Sequence, residues 1–158
     1  MIKYRRFQFG WVITIIFLIV IVWMTFAYVN QWGNNPVDKY GCIFFIILFG
    51  GILLGFYSMT IIVTDKQIKI KLGVGFYTKK IDLSTIRSAN TMTYPFYCGY
   101  GIRIVKNGLL FNVSGRHAVE IKFKNMKNVI LIGSDDWEKL QATIEETLNK
   151  NETLTRTV

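Results

Sequence analysis

Arg103, Lys106, Arg116 and His117 fall within fifteen residues of one another, and together they carry the groups that could hold an anion. They flank two glycine-containing turns, GYG at 99–101 and SG at 114–115. Turn amides beside cations are the ordinary material of phosphate-binding corners. In GIRIV, strand alternation sends Arg103 to one face and Ile102 and Ile104 to the other, where they are expected to enter the core. An ion pair from Arg103 to Glu120 is the structural alternative to an anion contact. Tyr94, Phe96, Tyr97 and Tyr100 crowd the approach to the first turn. They form a candidate contact loop, either packed beneath the chain or turned out toward a partner or a membrane.

Other chemistries lack their parts. GYGIR is not a dinucleotide fingerprint, because that needs a third glycine opening a helix, and here GxG opens a strand-like run. Gly99 and Gly101 instead read as positions needing positive φ or close approach, where a sheet turns a corner. With one histidine and no close carboxylate pair outside the last amphipathic segment, no catalytic set assembles, and a non-enzymatic protein is expected. Cys42 and Cys98 are too few, and His117 too isolated, for a metal site, and no cofactor is expected. NVS at 112–114 and NET at 151–153 match the glycosylation pattern by accident if the chain lies in the cytoplasm there.

Two apolar stretches dominate the first 63 positions. Trp11 to Val29 is 19 residues without a charge, and Gly41 to Val63 is 23. At a helical rise they reach about 28 and 34 Å, against a hydrocarbon core of about 30 Å, so both are expected to span a membrane. The first is too long for a secretory h-region and lacks a small-residue cleavage site. Lys3, Arg5 and Arg6 precede the first span, and Lys66, Lys69, Lys71, Lys79 and Lys80 follow the second. The intervening 30–39 segment has only Lys39, beside Asp38. The positive-inside rule therefore places both termini in the cytoplasm of an inner-membrane protein with two passes. Neither span holds an ionisable residue, which removes the usual support for a transporter or channel. Gly51 and Gly55 form a GxxxG pair, a helix-packing face for the first span or for another membrane protein. On this reading 1–63 is a transmembrane hairpin, 64–150 a soluble domain and 151–158 a tail.

Beyond the spans the pattern shortens to period two. QIKIKL puts Ile68, Ile70 and Leu72 on one side with Gln67, Lys69 and Lys71 on the other, and FYTKKIDL returns after Gly73 and Gly75 as a hairpin. SANTMTY, GIRIV, GLLFNV, AVEIKF and NVILI bring the expectation to about seven antiparallel strands in a partly open barrel or sandwich. DDWEKLQATIEETLN then places Trp137, Leu140, Ile144 and Leu148 on one face of a helix of about 14 residues, with Asp135 and Glu138 as a capping pair. Residues 64–158 hold 15 Lys and Arg against 9 Asp and Glu, a net +6. A basic domain tethered at an anionic leaflet is drawn to headgroups, so the charge calls for a membrane rather than nucleic acid. Lys66, Lys69, Lys71, Lys79 and Lys80 are the candidate membrane-surface cations.

PFYCGYGIR followed by GLLFNVSGRHAVEI resembles the membrane-anchored bacterial PH-domain-like family. VTDKQIKI, IDLSTIRS and IGSDDWEKLQATI extend that similarity over about residues 60–148. The resemblance implies two transmembrane helices followed by a PH-like domain capped by a C-terminal helix. The expected role is a membrane-bound module for protein interaction or self-assembly, as a homo-oligomer or with a membrane-protein partner. The alternatives are binding or sensing of an anionic lipid headgroup and service as a small accessory subunit of a larger membrane complex. The chain lacks the cationic loop that resembles those of phosphoinositide-binding PH domains.

Overall fold

A computed structural model describes residues 1–95, 99–105 and 107–156, with side chains as far as Asn151. The basic N-terminal stretch is a strand, β1 (Ile2–Phe9), and Tyr4 and Gln8 point from it into the protein. Gly10 then breaks the strand, and two apolar helices follow, α1 (Trp11–Val29) and α2 (Lys39–Phe56). Asp38 starts α2 by accepting a bond from the Gly41 amide at 2.9 Å, the N-cap its residue type favours. After Tyr57 the chain extends again into β2 (Ser58–Thr64), which pairs antiparallel with β1 over Ile2 to Phe9. The helices are thus an insertion between two neighbouring strands of one sheet.

This corrects the expected boundaries. The second apolar stretch does not remain helical to Val63: Thr60, Ile61, Ile62, Val63 and Thr64 are β-branched, stiff at χ1 and suited to a pleated strand. α2 is consequently 18 residues long and α1 is 19. Both are long and apolar enough to cross a membrane, and α1 buries no residue against the rest of the protein.

The first sheet runs β1-β2-β3-β4, with β3 (Gln67–Leu72) and β4 (Tyr77–Asp82) as the expected hairpin. The second runs β5-β8-β9-β7-β6, from β5 (Ile86–Thr93), β6 (Gly101–Val105), β7 (Gly108–Asn112), β8 (His117–Phe123) and β9 (Val129–Gly133). β3 to β9 are the seven strands expected after the spans, β1 and β2 add two that were not, and β7 pairs parallel to β9, so the expectation of an all-antiparallel sheet fails at that one ladder. Gly108 permits it, because a Cβ there would collide with the Val129 carbonyl.

Met59, Ile61, Val63, Ile68, Ile70 and Leu72 from the first sheet meet Phe111, Val119, Ile121 and Ile132 from the second in one core. That makes the fold a sandwich. Helix α3 (Trp137–Arg156) closes it against β5, β8 and β1, burying Leu140, Ile144 and Thr147. It starts at Trp137, two residues after the expected cap Asp135, where Ser134 Oγ accepts from the Asp136 amide at 3.2 Å. It also continues through Arg156 where a tail was expected from 151. A second cluster of Tyr94, Leu110, Ala118 and Leu131, with Val105 against it, lies apart from this core on the second sheet.

Candidate functional site at the helix-proximal end

The end of the sandwich that meets the helices is fixed by close backbone contacts. The Gly10 amide donates to the Tyr57 carbonyl at 2.7 Å, and a Cβ on Gly10 would lie 3.2 Å from the Val113 carbonyl as well. Gly101 sits under the Phe56 ring at 3.5 Å on the same measure. The GYG turn before β6 and the SG turn after β7 therefore both lie beside the roots of α1 and α2.

Asn112 joins these two turns. It is 1 % exposed, and its Nδ2 donates to the Gly99 carbonyl at 3.3 Å and the Gly115 carbonyl at 3.4 Å. Its Oδ1 accepts from the Ser114 amide at 3.0 Å. Tyr94 completes the frame: its amide donates to the Arg116 carbonyl at 3.1 Å and its hydroxyl to the Gly115 carbonyl at 3.4 Å. Gly99, Gly101 and Gly115 hold φ of +70, +95 and +79°, as expected for the first two, and these angles are what let two turns meet across one side chain.

Between the turns is a cavity of about 360 Å³ lined by Tyr94, Gly99, Tyr100, Gly115, Arg116 and His117. That is within the usual range for small-ligand sites, about 300–1,000 Å³. Arg103 stands beside it, its guanidinium lying over Gly99 and its Nε donating to the Tyr100 carbonyl at 3.3 Å. His117 is held by a 3.1 Å bond between Nδ1 and Thr93 Oγ1 and by stacking on Trp137 at 5.3 Å. Among the described residues neither Arg103 nor Arg116 has an ion-pair partner, and Glu120 bonds Lys122 at 3.1 Å rather than Arg103. The Arg103 and Arg116 guanidiniums and a turn's backbone thus border a small hollow beside the helix roots, while the His117 ring is turned to Thr93 and Trp137.

Arg103 and Arg116 come together there, the expected His117 borders the hollow with its ring turned to Trp137 and Thr93, and Lys106 lies outside the described residues. So do Phe96 and Tyr97 of the aromatic loop and Cys98. Tyr94 is buried as a strut and Tyr100 is half-buried in the cavity wall. Ile104, expected in the core, is 90 % exposed on the edge strand β6. Its cross-strand partner is Leu109, and among the described residues β6 has no neighbour on its other side.

The five candidate surface lysines spread along the first sheet. Lys71 pairs with Thr60, close to the helices, while Lys66 sits in the turn at the far end of β2, about 17 Å away by strand rise. Lys69 lies directly opposite Lys80, and Lys79 opposite Ile70. Gly51 faces open space, with nothing within 4 Å of where its Cβ would be, so it does not pack on α1. Gly55 is buried, with the Phe76 ring 4.0 Å from its Cβ position.

Two features escaped the sequence reading. One is Asn112, whose only signal is its place in the NVSG turn. The other is a larger cleft of about 910 Å³ at the far end of the second sheet, with Arg87, Lys122, Lys124 and Lys127 in its walls. Arg87 falls at an irregularity in the β5–β8 ladder, between Ile86 and Ser88.

The class defined by these observations is a two-sheet sandwich, of nine strands among the described residues, carrying a helical hairpin between its first two strands, with a cationic hollow beside the hairpin's roots. Comparison with protein-family models, with curated proteins and with solved structures finds no match for this chain.

Proposed function

We propose that the chain is a non-enzymatic, two-pass membrane protein whose β-domain, PH-like as its sequence resemblance implies, binds an anionic headgroup in the hollow between the GYG and SG turns. The observation that carries this reading is the placement of Arg103 and Arg116 beside a hollow of turn backbone next to the helix roots. Apolar helices with uncovered side chains belong in lipid, which sets that end of the sandwich at the headgroup layer. Antiparallel pairing of β1 with β2 keeps the N-terminal strand and the rest of the sandwich on one side of the bilayer. The excess of Lys and Arg there makes that side the cytoplasmic one.

Retention of phosphatidic acid against phosphatidylcholine by the purified full chain tests the reading. Selective retention of the acidic lipid that weakens with salt is expected, and equal retention of both would reject it.

Self-association is the second reading, favoured by one observation. Among the described residues β6 is an edge strand that presents Ile104 to solvent, the arrangement by which edge strands pair with a second copy.

A further inference from the structure

The turn between β3 and β4 is GVGF, residues 73–76, with Val74 70 % and Phe76 84 % exposed. Nothing in a soluble hairpin calls for two large apolar side chains at its tip, where polar turn residues are the rule. Its position supplies the reason. The turn lies against the last turn of α2: the Val74 amide approaches the Leu54 carbonyl at 3.4 Å, and the Gly73 amide donates to the Ser58 carbonyl at 2.8 Å. A Cβ on Gly73 would run into the Leu54 and Gly55 carbonyls, and the Phe76 ring is 4.0 Å from the Cβ position of Gly55.

The depth of that contact follows from length. α2 has 18 residues, about 27 Å of helix, whereas the hydrocarbon layer is about 30 Å thick. It therefore has no turn to spare, and Leu54 and Gly55 stand at the inner edge of the apolar layer. Whatever touches them sideways is at that depth too. The turn also meets the conditions for being there. The amides of Gly73, Val74 and Gly75 are all bonded, Gly75 to the Leu72 carbonyl at 3.0 Å, and no charge lies between Leu72 and Thr78. Trp11, 68 % exposed, and Tyr57 both flank Phe9 at the helix roots, where amphipathic rings mark the headgroup level.

We infer that the 73–76 turn is a third membrane contact, with Val74 and Phe76 inserted into the apolar edge of the leaflet that holds the roots of α1 and α2. Its occupant is the lipid layer itself. The insertion adds a third point of attachment, on the first sheet beside the root of α2, and so limits rocking of the sandwich about the helix roots.

This rests on the spanning reading of α1 and α2, and the test separates the two. Nitroxide labels are placed singly at Phe76→Cys, Ile19→Cys and Met126→Cys in the full chain carrying Cys42→Ala and Cys98→Ala, reconstituted in phosphatidylcholine nanodiscs. Collision with oxygen is compared with collision with a water-soluble nickel chelate. The labels at 19 and 76 are expected to favour oxygen, and the label at 126, on the far loop, to favour nickel. A label at 76 that matches 126 while 19 remains oxygen-accessible overturns the insertion alone. A label at 19 that favours nickel overturns the spanning reading and the insertion with it.

Discussion

Asn112 does more for the hollow than any residue that lines it. A buried carboxamide that bonds two turn carbonyls and one turn amide has no neutral replacement, because its removal strands polar groups away from water. Asn112→Ala is expected to cost about 1–3 kcal/mol, read as a lower melting temperature of the full chain in detergent, and to weaken lipid selectivity as well. Unchanged melting would mean the two turns are held by something other than this side chain. At the opposite end, Asp82 starts the short helical turn Leu83–Thr85, its Oδ1 accepting from the Ser84 amide at 3.0 Å and the Ser84 hydroxyl at 2.9 Å. These two bonds, the amide first, hold its carboxyl below the ordinary value of 3.8. Because the folded value is depressed, its stabilisation is complete above pH 3.8 and is lost as pH falls from there through the folded value. Carbon-13 titration should show Asp82 below the ordinary value and moved part of the way back by Ser84→Ala, since the amide remains. A carboxyl that titrates at or above 3.8 would contradict the cap.

Elements were legible where composition and period agreed. The QIKIKL hairpin, the alternation of AVEIKF and the Trp137, Leu140, Ile144, Leu148 stripe of α3 all follow from side-chain periodicity, and the structure repeats them. β1 and β2 were not legible, for two different reasons. β1 buries Tyr4 and Gln8 rather than aliphatic side chains, so its alternation is hidden by Lys3, Arg5 and Arg6, which read as the flank of a span. β2 follows α2 without a polar break, and hydropathy cannot tell a buried strand from the end of a helix. Ile104 was misplaced because alternation assumes a covered face, and an edge strand need not have one. The consequence is testable. A fragment of residues 64–158 would lack β1 and β2, and with them Tyr4, Met59, Ile61 and Val63 of the core. It should fail to give cooperative thermal unfolding, whereas the full chain unfolds cooperatively. A fragment that folds would show the first sheet to be dispensable.

At the scale of the whole molecule, the arrangement fixes the helical hairpin to the sandwich at both of its ends. Because the helices leave from and return to adjacent strands, the sandwich cannot swing away on a flexible linker: Gly10 and Tyr57 are joined by a backbone bond at the root. The cationic hollow was half visible in the sequence. Arg103, Lys106, Arg116 and His117 read as one anion-binding group in the sequence, yet only folding brings the GYG and SG turns together across Asn112. The spread of Lys66, Lys69, Lys71, Lys79 and Lys80 over the length of the first sheet makes them a general field rather than a site. The cleft with Lys124 and Lys127 in its walls stands at the far end, and so serves as an internal control. Native mass spectrometry of the full chain, offered equal phosphatidic acid and phosphatidylcholine, tests the headgroup reading most directly. Preferential retention of phosphatidic acid is expected, with a loss of about tenfold in that preference for Arg103→Ala with Arg116→Ala, on the order of 1.4 kcal/mol for two charge contacts, and no loss for Lys124→Ala with Lys127→Ala. Equal retention of the two lipids, or a preference that survives the paired arginine change and falls with the paired lysine change, would contradict it.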